Sequence, residues 1–115
     1  MTIWERIKAA LTALSVPMAA NQYLTETPDD LPDQFLVFQM ISDPARQHAD
    51  NSEQSRLYRV QVTIYDRSGL DAIPDIEGAM WAAGFTRGPS MELPYNRQTR
   101  HYGLAKDFFY LEEEQ

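Results

Sequence analysis

The sequence predicts a single α+β domain: an antiparallel sheet of about four to five strands, with two helices on one face and a long hairpin loop. Three observations lead to this class. Apolar residues recur at helical spacing in two segments, several other segments have the length and composition of strands, and the strands follow each other in hairpin-like pairs between the helices. A chain of 115 residues has the usual size of one domain, so we assign residues 1–115 to it.

The first predicted element is an amphipathic helix from Thr2 to Leu14. Its apolar residues recur every three or four positions and share one face: Ile3, Trp4, Ile7, Leu11 and Leu14. Thr2 and Glu5 have the spacing of a capping box, and Pro17 prevents the helix from continuing. We interpret Trp4 as a core anchor on this face rather than as a functional aromatic residue.

Two strands and their connections are predicted next. Ala19–Leu24 has the composition of a short strand, and Thr27–Asp33 is a loop rich in proline and aspartate. Phe35–Ser42 is a run of aromatic and aliphatic residues typical of a strand buried on both faces. The polar segment Asp43–Ser55 is predicted to be a long, mobile hairpin connection. Leu57–Asp66 alternates between apolar and polar residues, as a half-buried antiparallel strand does.

A second helix is predicted from Asp71 to Ala83, with Pro74 in its first turn and Gly84 as its C-terminal cap. We expect Trp81 to pack at the margin of the apolar face of this helix. Two further strands follow at Phe85–Leu93 and His101–Leu111, joined by a turn. The apolar faces of all these elements predict one shared core: Ile7, Leu11, Val60, Val62, Ile76, Met80 and Phe108. A buried charge there, as in Val62→Asp, is expected to unfold the domain.

Charge and composition exclude several classes of function. The formal net charge is −7 and the pI is about 4.6, so the surface repels nucleic-acid phosphates and anionic lipids. The absence of cysteine excludes disulfides, thiol catalysis and thiolate metal sites. The sequence has no apolar run near the ~20 residues that span a bilayer and no recognisable signal peptide. These features predict a protein of a reducing cytoplasm with no membrane partner.

The sequence contains no pattern that indicates an enzyme. Neither of its two histidines, His48 and His101, has a companion at metal-ligand spacing. There is no glycine-rich phosphate loop, and no serine lies in a nucleophile elbow. We therefore predict no catalytic residue, no cofactor and no metal.

Basic residues gather instead in two surface segments. Arg97, Arg100 and His101 lie on and beside the last hairpin turn, and Arg46 and His48 lie in the long polar loop. One interpretation is a solvated turn and loop. The other is a subunit interface in which these five residues meet acidic groups of a neighbouring copy.

The central strands carry a resemblance to a known family. The segment Phe38–Asp43, a polar loop and the segment Tyr58–Tyr65 resemble the central hairpin of small tail-completion proteins of long-tailed bacteriophages and prophages, which include the tail terminators. The second half is similar in kind: Ile76–Met80 on a helix, then Ala83-Gly84-Phe85, then Tyr95, Arg100-His101-Tyr102 and the closing aromatic strand Asp107–Tyr110. The resemblance covers residues 35–111, and the N-terminal helix agrees in placement.

This resemblance implies a hexameric ring at the end of a phage tail tube, which stops tube growth and provides the surface for head–tail joining. The implied partners are other copies of the chain, the tail tube protein and head connector proteins, while DNA passes through the lumen without specific binding. Assembly would take place in the host cytoplasm and the ring would end in the virion tail. The alternatives are a head–tail connector or minor tail protein and, from a different class, a small ligand-binding or regulatory α+β domain.

Overall fold

The computed structural model describes residues 2–42 and 55–113 of the chain. It contains two α-helices, a short 3-10 turn at Pro28–Asp30 and one five-stranded sheet, so the predicted α+β class is confirmed. In chain order the elements are α1 (Ile3–Thr12), β1 (Met18–Ala20), β2 (Gln34–Ser42), β3 (Ser55–Asp66), α2 (Ile76–Ala82), β4 (Thr86–Asn96) and β5 (His101–Glu113). The predicted long hairpin loop falls on residues 43–54 and lies outside the described residues.

The sheet has the strand order β1-β2-β3-β5-β4. The four longer strands are antiparallel to their neighbours, as predicted. The short strand β1, however, pairs in parallel with β2, where Met18 is opposite Leu36 and Ala20 is opposite Phe38. The sheet is therefore mixed rather than wholly antiparallel. A parallel neighbour requires a connection that returns the chain to the same end of the sheet, and residues 21–33 provide it.

Local capping interactions set the bounds of α1. The backbone N–H of Glu5 donates to Thr2 Oγ1 (3.1 Å) and the backbone N–H of Thr2 donates to Glu5 Oε1 (3.2 Å), so the predicted capping box is confirmed. The helix ends at Thr12, two residues before the predicted end. Leu14 nevertheless packs against the core beyond the last helical turn.

The helix α2 is shorter than the sequence predicts, because it begins at Ile76 rather than near Asp71. Asp75 caps it by accepting a hydrogen bond from the backbone N–H of Gly78 (3.0 Å), and Pro74 therefore precedes the helix. At the other end Gly84 has a φ of +95°, as expected for its capping role. Trp81 is 70% exposed, so the prediction that it packs at the margin of the apolar face is wrong.

Both helices pack on the same face of the sheet, as predicted, and the core lies between the two layers. All seven predicted core residues are buried in one cluster, which confirms that assignment. The ring of Trp4 packs against Phe38 with 5.8 Å between centroids, so Trp4 is a core anchor. The opposite face of the sheet, called here the uncovered face, has no α-helix on it in the described part of the chain, and the connection 21–33 packs on one end of it.

Ion pairs also join α2 to the sheet. A carboxylate oxygen of Glu77 accepts a hydrogen bond from Lys106 Nζ on β5 (2.8 Å), and the other accepts one from Arg87 on β4 (2.8 Å). The hydrogen bonds from Lys106 and Arg87 lower the pKa of Glu77 below its ordinary value. Lys106 can therefore lie largely buried on the helix-covered face, because its charge has a partner there.

Candidate functional site

One end of the uncovered face carries exposed aliphatic side chains. Leu57 on β3 and Leu111 on β5 are direct cross-strand partners and are 52% and 54% exposed. Ile41 on β2 lies at the same end of the sheet and is 43% exposed. We call these three residues the apolar patch. Large apolar side chains gathered at one end of a sheet face are typical of a surface that another macromolecule covers.

A row of polar side chains crosses the middle of the same face. Gln39, Gln61 and Asp107 lie opposite one another on β2, β3 and β5. Gln39 Nε2 donates to Gln61 Oε1 (3.0 Å), Gln61 Nε2 donates to Asp107 Oδ1 (3.1 Å), and Arg59 Nε donates to Asp107 Oδ2 (3.0 Å). Both oxygens of the buried Asp107 carboxylate are thus engaged within the subunit. This row ties three strands together and gives the face a fixed surface.

An aromatic cluster occupies the other end of the uncovered face. The rings of Phe35 and Tyr65 are stacked with 4.9 Å between centroids, and Tyr23 packs on Phe35 at 5.1 Å. His101 meets Phe35 edge-on at 5.0 Å, and its Nε2 lies 2.8 Å from the carbonyl oxygen of Pro32, to which it donates. Burial raises the pKa of the Tyr65 hydroxyl. The contacts of Tyr23 with Phe35 and of Pro32 with His101 fix the connection 21–33 over this end of the face.

The five interface residues predicted from the sequence have different environments in the structure. His101 is 1% exposed and its ring is enclosed within its own subunit, so we do not include it in an interface. Arg97 is exposed on the turn between β4 and β5. Arg100 is exposed on the same turn, and its guanidinium pairs with Asp29 (3.1 Å). Arg46 and His48 lie outside the described residues. Arg97 and Arg100 thus remain together on one exposed turn, which we call the hairpin tip.

Arg67 attaches the hairpin tip to the rest of the domain. Its Nε donates to the carbonyl oxygen of Thr99 (3.0 Å), and its terminal nitrogens donate to Asp33 (3.0 Å) and to the carbonyl oxygen of Pro28 (3.1 Å). One side chain, directly after the end of β3, thereby joins the connection 21–33 to the turn before β5. The hairpin tip is therefore held in one position relative to the sheet.

The apolar patch was not predicted from the sequence, although the sequence contains a signal for it. Leu57 and Leu111 occupy positions of β3 and β5 that alternate with the core residues, where polar side chains are the rule for a solvated face. Leu57 has the charged Arg56 and Arg59 close to it on β3, and Leu111 ends the aromatic run Phe108–Tyr110, so neither leucine by itself indicates an exposed position. Their proximity depends on the β3–β5 register, which the sequence does not reveal.

The depressions on the uncovered face are small. One, next to the aromatic cluster, has a volume of about 200 Å³, and another, beside Asp107 and Met91, has about 250 Å³. Sites for small organic ligands usually enclose ~300–1,000 Å³. Among residues 2–42 and 55–113 we find no group of three or more His, Asp or Glu placed to hold a metal ion. No described helix has the length and apolar character needed to cross a membrane.

Comparison with known proteins gives no family for the chain, because no protein-family model and no curated protein matches it.

The hypothesis from the sequence, that Arg97 and Arg100 belong to a subunit interface, can be tested at the hairpin tip. We expect the double variant Arg97→Glu/Arg100→Glu to weaken self-association by a few-fold while leaving the monomer folded, because turn residues contribute little to the core and exposed charge pairs contribute ~0–1 kcal/mol each. Light scattering across a salt series, with circular dichroism of the same samples, measures both effects. The same hypothesis predicts that raising the salt concentration weakens any self-association of the wild-type chain. Association equal to wild type at all salt concentrations would remove the hairpin tip from the interface.

Proposed function

We propose that this chain is a structural virion assembly protein that forms a ring at the end of a phage tail tube, stops tube growth and provides the surface for head–tail joining. The observation that carries the proposal is the apolar patch on a sheet face that no described helix covers. Leu57 and Leu111 lie side by side there, each about half exposed. Burying them against another subunit removes apolar surface from water, which stabilises the assembly by roughly 25 cal/mol per Å².

A ring requires two unlike surfaces on each subunit, because a head-to-tail contact pairs different patches of neighbouring subunits. The ring closes when the rotation from one subunit to the next divides a full turn. The apolar patch and the hairpin tip are such surfaces. Leu57 and Leu111 lie where β3 begins and β5 ends, whereas Arg97 and Arg100 lie just before β5 begins, at the opposite end of the sheet. The expected number of six subunits comes from the resemblance to tail terminators.

The charge of the chain fits the proposed location. With a formal net charge of −7, a lumen made of these subunits repels the DNA backbone, so DNA passes without specific binding. The proposed partners are other copies of the chain, the tail tube protein and head connector proteins. Assembly takes place in the host cytoplasm, and the ring becomes part of the virion tail.

The test uses two leucine variants with matched chemistry. Leu57→Asp places a charge in the apolar patch, and Leu24→Asp places the same charge at a leucine that is 75% exposed outside it. We expect wild type and Leu24→Asp to form the same ring, and Leu57→Asp to remain monomeric but folded. Multi-angle light scattering measures the mass, and circular dichroism verifies the fold. Equal assembly of both variants would remove the apolar patch from the proposal.

Electron microscopy of the ring mixed with purified tail tubes distinguishes the roles in the virion. A terminator caps one end of each tube and limits further growth when monomeric tube protein is added. A head–tail connector binds the head vertex instead and leaves the tube free to grow. A wild-type protein that stays monomeric at high concentration, with and without tubes, would contradict the ring itself.

A further inference from the structure

The broad faces of the domain, rather than its ends or its strand edges, are large enough for a stable contact between copies. The domain measures 49 × 26 × 23 Å. A broad face therefore exceeds, and an end falls short of, the ~800 Å² that each partner buries in a stable protein interface. The edges offer little regular strand for pairing, because β1 occupies β2 from Leu36 to Phe38 and Pro89 and Pro94 interrupt β4. Contact between copies is therefore expected through the faces.

The helix layer, formed by α1 and α2, carries a large exposed aromatic side chain at Trp81. This residue follows the buried Met80 on α2 and is 70% exposed. A helix turns about 100° per residue, so Trp81 lies on the side of α2 away from the buried Ile76 and Met80. Alanines line the surface between the two helices: Ala9, Ala10, Ala13, Ala79, Ala82 and Ala83. These short side chains leave the indole standing above its surroundings, and tryptophan is enriched among the residues that anchor protein interfaces.

Trp81 lies at the same end of the sheet as the apolar patch, but on the opposite side of the domain. Gly84, just after α2, is so close to β5 that an added Cβ would lie 3.3 Å from the ring of Tyr110. The next residue of β5 is Leu111 of the apolar patch, and neighbouring residues in a strand point to opposite faces. Copies stacked in the same orientation therefore bring Trp81 of one copy over the apolar patch of the next.

The side chains around the apolar patch suit an aromatic partner. Arg59 and Phe109 are cross-strand partners, two residues along from Leu57 and Leu111 on the same face. The guanidinium carbon of Arg59 lies 5.7 Å from the centroid of the Phe109 ring, and the Arg59 side chain is 41% exposed. An indole that packs on the two leucines also meets this guanidinium, and a cation is attracted to the face of tryptophan more strongly than to that of other aromatic rings.

We infer that the helix layer of one copy packs on the uncovered face of the next, with Trp81 on the apolar patch. The inference rests on the proposed function and deepens it by naming the surface that covers the patch. The two surfaces are unlike and lie on opposite sides of the subunit, so the contact is head-to-tail, as a ring requires. It removes from water the exposed parts of Trp81, Leu57 and Leu111, which are 70%, 52% and 54% exposed in the free subunit. The hairpin tip, at the other end of the sheet, lies outside this pair of surfaces.

Two aromatic-to-alanine variants test the contact. Trp81→Ala removes the proposed anchor, and Tyr95→Ala removes an aromatic ring that is 45% exposed near the hairpin tip. We expect Trp81→Ala to associate at least about tenfold more weakly than wild type, as truncation of a central interface tryptophan does, and Tyr95→Ala to associate as wild type does. Sedimentation velocity over a concentration series measures the association, and circular dichroism verifies that both variants are folded. If Trp81→Ala assembles like Tyr95→Ala while wild type forms a ring, the inference is overturned and the proposed function stands.

Chemical cross-linking identifies the two surfaces directly, because the chain contains no cysteine of its own. Ala82→Cys places a thiol beside Trp81, and Leu111→Cys places one in the apolar patch. A short bis-maleimide should link these two variants when they are mixed, whereas Ala72→Cys, at an exposed alanine in the connection before α2, should not link to Leu111→Cys.

Two outcomes of the cross-linking would contradict the inference. A product from Leu111→Cys or Ala82→Cys by itself would mean that like surfaces meet, and the inference is then wrong. The absence of a product from the mixture, while wild type forms a ring, overturns the inference and leaves the proposed function standing. If wild type is monomeric with and without tubes, both fail.

Discussion

Val60→Asp is expected to prevent the domain from folding. Val60 is 0% exposed on the helix-covered face of the sheet, and its cross-strand neighbours are Met40 on β2 and Phe108 on β5. None of these side chains can pair with a carboxylate. An unpaired buried charge costs several kcal/mol, against a total stability of about 5–15 kcal/mol. Far-ultraviolet circular dichroism and thermal unfolding of the purified variant measure the result.

Val62→Asp provides an informative comparison on the same strand. Val62 is equally buried, but it lies directly opposite Lys106, whose Nζ is bonded to Glu77 at 2.8 Å. The sequence alone predicts that Val62→Asp unfolds the domain. Because the structure places a cation within reach of a carboxylate at position 62, we expect instead a smaller loss of stability than for Val60→Asp. Leu57→Asp, on the opposite face of β3, is the folded control. A folded Val60→Asp variant with a wild-type melting temperature would contradict the assignment of this face to the core.

Phe38→Ala should lower the free energy of unfolding by about 3–5 kcal/mol, because it leaves a cavity in a close-packed interior. Phe38 is 0% exposed on β2, and the ring of Trp4 packs against it. The tryptophans give a direct readout. Trp4 emission should shift to longer wavelength as its environment opens, whereas Trp81, which is 70% exposed, supplies an unchanged background.

Chemical denaturation followed by tryptophan fluorescence measures the stability of this variant. Phe38→Leu fills most of the same volume and should lose clearly less stability than Phe38→Ala. A loss below about 1 kcal/mol for Phe38→Ala would mean that the site collapses around the missing ring. In that case the contact between α1 and β2 is less tightly packed than the structure shows.

The core was predictable from the sequence because it depends on local periodicity. Val60 and Val62 alternate with polar residues along β3, and Ile7 and Leu11 recur at helical spacing, so each element shows its buried face without knowledge of its partners. The start of α2 was less predictable. Pro74 is compatible with a first helical turn, but the cap at Asp75 depends on a hydrogen bond to Gly78 that only the folded backbone reveals.

The candidate site was less predictable because it depends on pairings between distant segments. The strand predicted at Ala19–Leu24 is instead Met18–Ala20, and its parallel placement next to β2 follows from the path of residues 21–33, which local composition does not reveal. His101 looked like a surface residue because it follows a polar turn, yet its ring bonds to the carbonyl oxygen of Pro32 and packs on Phe35. Charge and turn composition indicate that Arg97 and Arg100 are exposed. They do not indicate that the connection 21–33 covers the neighbouring His101.

The central position of β5 has a consequence for the order of folding during synthesis. This strand is the last of the five in the sequence, yet it lies between β3 and β4 and pairs along the whole length of β3. Ribosomes add ~5–20 residues per second, so β3 is exposed for seconds before its second partner emerges. During that time its apolar residues are half covered by β2 alone. Nascent chains of this protein are therefore expected to need a chaperone more than the finished chain does, and pairings so distant in sequence also slow refolding.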